Sequence, residues 1–370
     1  MKRVVVLGCT GSIGRQTLDI VRREKGCFRV AGLSAGSNAG KLDELCREFG
    51  CKGTLFSRDG IEGIRRLLDE AQADIAVNGI AGAAGLRPSL LALQSGADLA
   101  LANKETVVMA WSLVKKTADR LSRKIIPVDS EHFAVFSLMS KIGSANVEEI
   151  VITASGGPFR EYSSEQLKTV TVVDALKHPT WSMGKKITVD SATLANKGLE
   201  VIEAGCLFDL SPSKVKVVVH PQSLIHSLVR TKDGLLYAQI SEPDMRRPIW
   251  GALTWPETRC NSLAAFDLTR CGAMTFFAPR LDSFPMLAMA FECARKGANY
   301  PIAFNAANEV AVEAFLEGHL SFPAIACVTQ RTLQGDWNAR ADELDAILDA
   351  DRQARDEARV HVSALVEGAL

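Results

Sequence analysis

The sequence carries no excess of charge of either sign, because its 43 lysines and arginines are matched by 43 aspartates and glutamates. A balanced chain lacks the basic surface that attracts nucleic acids and anionic membranes, so we predict neither as a partner. With 47% apolar and 23% charged residues, the composition is that of an ordinary globular protein. A length of 370 residues predicts two or three domains rather than one.

Cysteine motifs and long apolar segments are also missing. The nine cysteines form no C-x-x-C pair and no Cys/His metal spacing, which is typical of reduced, mostly buried thiols in a cytoplasmic protein. The most apolar long window, residues 75–102, contains Arg87, Pro88 and Asp98, so we do not predict a membrane span there. Val4 already lies inside a strand-like run, and we therefore expect no signal or transit segment.

The first motif is VVVLGCTGSIGRQTLDIV, in which a glycine cluster separates an apolar run from a helical pattern. Gly8, Gly11 and Gly14 let the backbone turn tightly and approach a pyrophosphate bound at the helix amino terminus. Their G-x-x-G-x-x-G spacing is one residue longer than the commonest dinucleotide-binding pattern. We interpret the motif as a nucleotide site; the alternative is a tight turn that binds nothing.

The end of the second predicted strand indicates which nucleotide binds. An NAD site usually has an acidic residue at this point for the ribose hydroxyls, but this strand ends in Ala35-Gly36-Ser37-Asn38. The missing acid favours NADP, although the turn contains no basic residue and Lys41 is the nearest cation. Further alternation of strands and helices up to residue 102 predicts a parallel, doubly wound sheet.

LANKET, residues 101–106, puts three polar side chains at the end of a predicted strand. Open α/β sheets bind ligands at the carboxyl ends of their strands, so Asn103, Lys104 and Glu105 are candidates for a site there. Surface decoration of a helix start is the alternative interpretation.

PVDSEHFA, residues 127–134, brings two carboxylates to the same predicted edge. If the strand continues through this motif, alternation places Asp129 and Glu131 on one face and turns His132 away from them. Two neighbouring carboxylates repel each other, and a divalent cation that prefers oxygen ligands would neutralise them. The pattern therefore predicts a Mg²⁺ or Mn²⁺ site.

ITVDSATLANKGLEVIEA, residues 187–204, is the densest polar stretch and reads as a helix capped by Asp190. Asn196 and Lys197 precede Glu200 by four and three residues and so share its side of the helix. We interpret Glu200 as a third metal ligand and the other two as phosphate contacts, with the Ser191 hydroxyl near the helix start. A surface salt bridge is the alternative.

The loop between these motifs contains further candidates. Ser155-Gly-Gly-Pro exposes backbone donors suited to an anion. Residues 178–184, which include Trp181 and Ser182, are rich in polar residues and glycine, as is typical of a lid that closes over substrate. An ordinary surface loop with Trp181 packed into the core is the alternative.

Seven motifs occur in the order found in the 1-deoxy-D-xylulose 5-phosphate reductoisomerase family: GCTGSIG, LANKET, PVDSEH, ASGGPFR, HPTWSMGKKITVDSATLANKGLE, HPQSLIHS and EPDMRRPI. The chain resembles this family densely from residue 4 to about 250. The resemblance implies reductive isomerisation of 1-deoxy-D-xylulose 5-phosphate to 2-C-methyl-D-erythritol 4-phosphate in the non-mevalonate isoprenoid pathway. It also implies NADPH, a divalent metal (Mg²⁺, Mn²⁺ or Co²⁺) and a cytoplasmic homodimer.

Carried over by position, the resemblance implies a role for each candidate. The metal ligands, catalytic together with Lys104, are Asp129, Glu131 and Glu200. The substrate contacts are Lys104, Ser130, Glu131, Ser155, His178, Ser191, Asn196, Lys197 and Glu200. The cofactor contacts are Thr10, Gly11, Ser12, Ile13, Gly36, Ser37, Asn38, Asn103, Glu105 and Gly184.

One departure from the family concerns Ser37, because many members have a basic residue at this position. We therefore expect weaker discrimination against NADH. An NADP-dependent semialdehyde or homoserine-type dehydrogenase is the alternative function, and a non-catalytic nucleotide sensor is a further one. Neither alternative needs the clustered carboxylates.

The expected fold is α/β. A Rossmann-like NADPH-binding domain over residues 1–128 is followed by an α+β catalytic domain over 129–254 with a lid and a dimer sheet. A linker over 255–284 leads to a carboxy-terminal α-helical bundle over 285–370.

Overall fold

The computed structural model describes residues 1–181 and 183–368. The chain forms two compact units. The first combines Met1–Thr106, Trp111–Phe136 and Asp244–Phe266, and the second contains Val107–Ala110, Ser137–Pro243 and Asp267–Leu370. This division differs from the predicted boundaries, because the first unit runs past residue 128 and takes up residues 244–266, while the second sheet and the carboxy-terminal helices share one unit.

The first unit is built on a parallel six-stranded sheet of order β3-β2-β1-β4-β5-β6, which confirms the predicted doubly wound fold. Four consecutive residues of its central strand, Val4 to Leu7, are completely buried, as expected for a strand covered on both faces. The strand order reverses between β1 and β4, and ligands bind such sheets at this switch point. The strands are β1 (Lys2–Leu7), β2 (Phe28–Ala35), β3 (Lys52–Leu55), β4 (Ile75–Asn78), β5 (Asp98–Leu101) and β6 (Ile125–Pro127).

Helices follow the strands of this sheet as the alternating pattern predicts. Glycine in the left-handed conformation ends the second helix at Gly50, with φ of 61°. The helices are α1 (Ser12–Arg23), α2 (Ala39–Phe49), α3 (Phe56–Ala71), α4 (Leu86–Gln94), α5 (Lys104–Arg120) and α6 (Ser130–Ile142).

The second unit contains a four-stranded mixed sheet of order β10-β9-β7-β8. β7 (Val147–Ala154) pairs in parallel with β8 (Val215–Val219) and antiparallel with β9 (Ile225–Thr231). β9 and β10 (Leu236–Ile240) form an antiparallel hairpin whose turn contains Gly234 with φ of 87°, as expected for an Asp-Gly turn. Among the described residues, four α-helices lie between β7 and β8, namely α7 (Ser164–Lys168), α8 (Val172–Ala175), α9 (Lys185–Thr193) and α10 (Ala195–Phe208).

The remaining helices divide between the two units. α11 (Arg246–Thr254) returns to the first unit, where Trp250 packs edge-on against Phe28 with ring centres 5.6 Å apart. The second unit contains α12 (Met286–Lys296), α13 (Tyr300–Leu316), α14 (Phe322–Thr332) and α15 (Leu344–Val366). α13 is buried along most of its length and packs against α14 and α15, as predicted for a helical bundle. None of the helices among the described residues is long and apolar enough to cross a membrane.

Candidate active site

The glycine turn after β1 leaves the start of α1 open to an anion. Gly8 has φ of 80°, and the N–H of Gly11 donates to the carbonyl oxygen of Gly8 at 3.0 Å. A Cβ on Gly14 would lie 2.3 Å from that same carbonyl oxygen, so only glycine fits. No side chain caps α1 and no acidic residue lies in its first turn. Its first N–H groups therefore suit a pyrophosphate, as the motif predicts. Thr10, Ser12 and Ile13 belong to this turn.

The turn between β2 and α2 is exposed at Gly36, Ser37 and Asn38. Asn38 caps α2, since its Oδ1 accepts a hydrogen bond from the main-chain N–H of Lys41 at 3.0 Å. None of these three residues is acidic. The turn itself therefore carries no negative charge that would repel a 2′-phosphate.

Asn103 and Glu105 hold the start of α5 in place. Asn103 Oδ1 accepts from the N–H of Thr106 at 2.9 Å, while its Nδ2 donates to the carbonyl oxygens of Ile80 at 2.8 Å and Gly82 at 2.9 Å. The same Nδ2 lies 2.9 Å from Glu105 Oε2. LANKET is therefore a buried helix start, and the surface interpretation of this motif is wrong.

The strand does not continue through PVDSEH, and the predicted alternation is wrong. β6 ends at Pro127, and α6 begins at Ser130 with the N–H of Phe133 donating to the carbonyl oxygen of Asp129 at 2.8 Å. Asp and Ser favour helix starts, and this preference outweighs the strand pattern of the preceding residues. Glu131 consequently lies in the first turn of a helix, where its Oε2 accepts from Ser130 Oγ at 2.5 Å.

The carboxylate of Asp129 contacts the ammonium group of Lys104 and the imidazole ring of His132. Lys104 Nζ donates to its Oδ2 at 2.8 Å, and only 6% of the Lys104 side chain and 13% of the Asp129 side chain are exposed. His132 Nδ1 lies 3.2 Å from Asp129 Oδ1, which corrects the prediction that this ring points away. The helical geometry brings residues three apart to the same side, so a helix start at this motif predicts that His132 lies beside Asp129.

Two helices rather than one carry the polar stretch 187–204. Leu194 has φ of 62° and separates α9 from α10. Asp190 therefore does not cap a helix; it is buried in α9, where its carboxylate accepts from Asn308 Nδ2 at 2.8 Å and lies 2.9 Å from Lys186 Nζ. Ser191 accordingly lies near the end of α9 and not at a helix start, which corrects that prediction.

The predicted cluster on α10 is present and buried. Asn196 Nδ2 donates to Glu200 Oε1 at 2.6 Å, and Lys197 Nζ donates to Glu200 Oε2. The side chains of Lys197 and Glu200 are 4% and 1% exposed, so the surface salt-bridge interpretation is wrong. The opposite face of the helix packs through Ala195, Leu199 and Ile202 into the core of the second unit.

Ser155, His178 and Ser191 form a hydrogen-bonded group in the second unit. His178 Nε2 lies 3.1 Å from both serine Oγ atoms. Its Nδ1 accepts from the N–H groups of Thr180 at 3.1 Å and Trp181 at 2.9 Å. Nδ1 is therefore the acceptor, and the ring proton is on Nε2.

Burial lowers the pKa of His178 to about 4, so the ring is neutral near pH 7. The predicted lid contains Trp181, whose ring centre lies 6.2 Å from that of His226, and Gly184, which immediately precedes α9. Ser182, also part of the predicted lid, lies outside the described residues.

Comparison with known proteins identifies the family. Models described as "1-deoxy-D-xylulose 5-phosphate reductoisomerase" match residues 4–59 and 54–111, and those of its carboxy-terminal domains match 125–208 and 240–357. The 1-deoxy-D-xylulose 5-phosphate reductoisomerases of Treponema denticola and Treponema pallidum are 47% and 48% identical to this chain. The first similarity covers 99% of each protein and the second 98% of each.

Solved structures of the same enzyme have the same fold. A crystal structure of DOX-P reductoisomerase in complex with NADPH, fosmidomycin and magnesium has a TM-score of 0.90 and 36% identity, covering 99% of both chains. The enzyme from Zymomonas mobilis in complex with NADPH has a TM-score of 0.88 and 37% identity, covering 98% of this chain and 99% of the other. The chain belongs to the 1-deoxy-D-xylulose 5-phosphate reductoisomerase family.

Proposed function

We propose that the chain is an oxidoreductase that converts 1-deoxy-D-xylulose 5-phosphate into 2-C-methyl-D-erythritol 4-phosphate with NADPH and a divalent metal. The observation that carries this function is 47% identity over nearly the whole length of a named reductoisomerase. The carbon skeleton rearranges first, and hydride then reduces the new aldehyde. The dehydrogenase alternative is not favoured, since it has no use for the buried Asn196, Lys197 and Glu200 group.

Asp129, Glu131 and Glu200 hold the metal in this proposal. The donor set fits Mg²⁺ or Mn²⁺, because all three residues offer the hard carboxylate oxygens that these ions prefer. A metal held by these carboxylates would polarise the substrate carbonyl and stabilise developing negative charge. Lys104, already bonded to Asp129, supplies further positive charge beside the reacting oxygens, and Ser130 adds a hydroxyl contact.

The phosphate of the substrate binds in the second unit, to neutral hydrogen-bond donors and to the ammonium group of Lys197. The supporting observations are the shared position of His178 Nε2 between two serine hydroxyls and the pairing of Asn196 and Lys197 on one helix face. Because the phosphate is remote from the reacting carbons, its binding energy can orient the substrate and close the lid. The contacts proposed for the phosphate are Ser155, His178, Ser191, Asn196 and Lys197.

NADPH lies across the first unit, with its pyrophosphate on the glycine turn and its adenosine ribose at the turn after β2. The open start of α1 and the acid-free turn after β2 support this placement. Asn103 and Glu105 stiffen the start of α5 beside the switch point. The proposed contacts are Thr10, Gly11, Ser12, Ile13, Gly36, Ser37, Asn38, Asn103 and Glu105 of the first unit and Gly184 of the second.

Substitution of Glu200 tests the metal site. Glu200→Gln removes a carboxylate charge and should weaken Mn²⁺ binding and lower kcat by about a hundredfold or more, in line with loss of a directly acting electrostatic group. Titration calorimetry with Mn²⁺ measures binding independently of turnover. Asp209→Asn, an exposed change at the end of the same helix, is the control. Unchanged Mn²⁺ affinity in Glu200→Gln would remove Glu200 from the site.

A homodimer formed through the second sheet is also part of the proposal. β10 is an edge strand, and Leu235, Leu236 and Tyr237 on or beside it are 55%, 46% and 42% exposed. A long apolar edge of this kind pairs readily with another copy. Leu236→Lys should shift the enzyme to monomer in analytical ultracentrifugation, whereas Val360→Lys, on α15, should not. A dimer that survives the first change would contradict this interface.

A cytoplasmic location completes the proposal. All nine cysteines are unpaired thiols, and thiols stay reduced in the cytoplasm.

A further inference from the structure

Ser37 leaves the adenosine end of the cofactor site without its expected cation. A 2′-phosphate is bound most firmly by a guanidinium or ammonium group, and the turn after β2 contains neither before Lys41. Lys41 Nζ is itself bonded to Glu44 at 2.7 Å. A guanidinium can donate two parallel hydrogen bonds to a phosphate, whereas an ammonium acts only as a point charge, so an arginine close to this turn is a stronger candidate than Lys41.

The start of α3, which directly follows β3, lies beside the turn after β2. The two strands are parallel neighbours in which Ala35 is paired with Leu55. Beyond this pair the contact continues, because the N–H of Ser57 donates to the carbonyl oxygen of Gly36 at 2.9 Å. The first residues of α3 therefore meet the turn after β2 at Gly36, although about twenty residues separate them in the sequence.

Arg58 is the cation in the first turn of α3. Its side chain is 69% exposed, and its Nε and Nη2 donate to Asp59 at 2.9 and 3.0 Å. These two bonds use two of the five N–H groups of a guanidinium. The guanidinium is therefore paired with its neighbour and retains N–H donors for an anion.

Asp59 is turned toward the protein. Its side chain is 18% exposed, and its Oδ2 accepts from the N–H of Leu55 at 3.0 Å and from Thr54 Oγ1 at 3.1 Å. The hydrogen bond from Arg58, together with these bonds to the end of β3, lowers the pKa of Asp59 well below its usual range. Asp59 thus serves to orient Arg58, and Asp43 is the other carboxylate whose charge acts on Arg58.

We propose that Arg58 binds the 2′-phosphate of NADPH and is the residue that selects NADPH over NADH in this chain. It supplies the positive charge that the serine at position 37 does not provide. This inference rests on the proposed binding of NADPH to the first unit and adds a specificity residue to it.

Binding of cofactor fragments tests the inference without turnover. Arg58→Ala in the full-length enzyme should weaken 2′,5′-ADP binding by about tenfold or more, the loss expected for charge-assisted hydrogen bonds. Affinity for 5′-AMP, measured by the same titration calorimetry, should stay within about twofold. The ratio of kcat/KM for NADPH to that for NADH should fall by the same factor as the 2′,5′-ADP affinity.

Arg65→Ala is the matched control, because Arg65 is an exposed, ion-paired arginine on the same helix, α3. It should leave all these affinities unchanged. Ser37→Arg added to Arg58→Ala should restore 2′,5′-ADP binding, since it returns a cation to the neighbouring turn. Unchanged 2′,5′-ADP affinity in Arg58→Ala, or an equal loss for 5′-AMP, would overturn the role of Arg58. A wild-type enzyme that does not distinguish 2′,5′-ADP from 5′-AMP would overturn the proposed use of NADPH as well.

Discussion

At the residue scale, the candidate site consists of charged groups that are kept away from water. Lys104 with Asp129 in the first unit, and Lys197 with Glu200 in the second, are almost completely buried pairs. Removing such charges from water costs several kcal/mol per ion, and their attraction repays this cost only in part. Pairs of this kind add little to stability, so their presence is better explained by the chemistry of a site.

His178 makes the stability of the protein depend on pH. Its pKa is about 4 in the folded protein, lowered by burial from an ordinary 6.5. Between these two values the unfolded chain binds a proton that the folded chain does not. The free energy of unfolding contributed by this group therefore falls as the pH is lowered from 6.5 toward 4.

His178→Gln should make the urea midpoint less sensitive to a change from pH 7 to pH 5, as measured by equilibrium unfolding. His319→Gln, at an exposed histidine, should keep the wild-type sensitivity. An identical pH dependence in His178→Gln and the wild type would show that the imidazole is not neutral and buried.

At the element scale, the turn from β1 to α1 depends on one glycine. Gly14→Ala would press a Cβ against the backbone of Gly8 and Cys9, the nearest atoms lying 2.3 and 2.5 Å away. We expect a loss of about 2 kcal/mol or more in unfolding free energy, together with loss of NADPH binding.

Gly40→Ala is the control for this change, since nothing lies within 4 Å of a Cβ at this position in α2. Alanine is the better helix former, so this variant should be at least as stable as the wild type. Thermal unfolding and NADPH fluorescence titration measure both effects. A fully stable Gly14→Ala enzyme with normal NADPH affinity would contradict the described turn.

Local sequence patterns predict some of the elements but not all of their boundaries. The glycine turn, the alternating sheet and the shared face of Asn196, Lys197 and Glu200 follow from spacing alone, and the structure confirms them. The helix start at Ser130 was hidden by the apolar strand before it. The break at Leu194 was hidden because its left-handed backbone, with φ of 62°, is unusual for leucine.

At the scale of the whole molecule, the sequence predicts the types of domain better than the residues at which those domains begin and end. Residues 244–266 belong to the first unit, and Lys2 Nζ donates to the carbonyl oxygen of Leu253 at 2.8 Å. The proximity of Ser57 to Gly36 likewise depends on strand pairing. Contacts between residues far apart in sequence leave no periodic pattern, so single-sequence reasoning does not reveal them.

The central claim joins NADPH, a divalent metal and a sugar phosphate in one reaction. The most direct test is the loss of NADPH absorbance on addition of 1-deoxy-D-xylulose 5-phosphate, with Mg²⁺ present, after chelation and after Mg²⁺ is restored. We predict turnover that stops on chelation, returns with the metal and is slower with NADH. Turnover that continues at an unchanged rate after chelation would contradict the carboxylate metal site and favour the simple dehydrogenase.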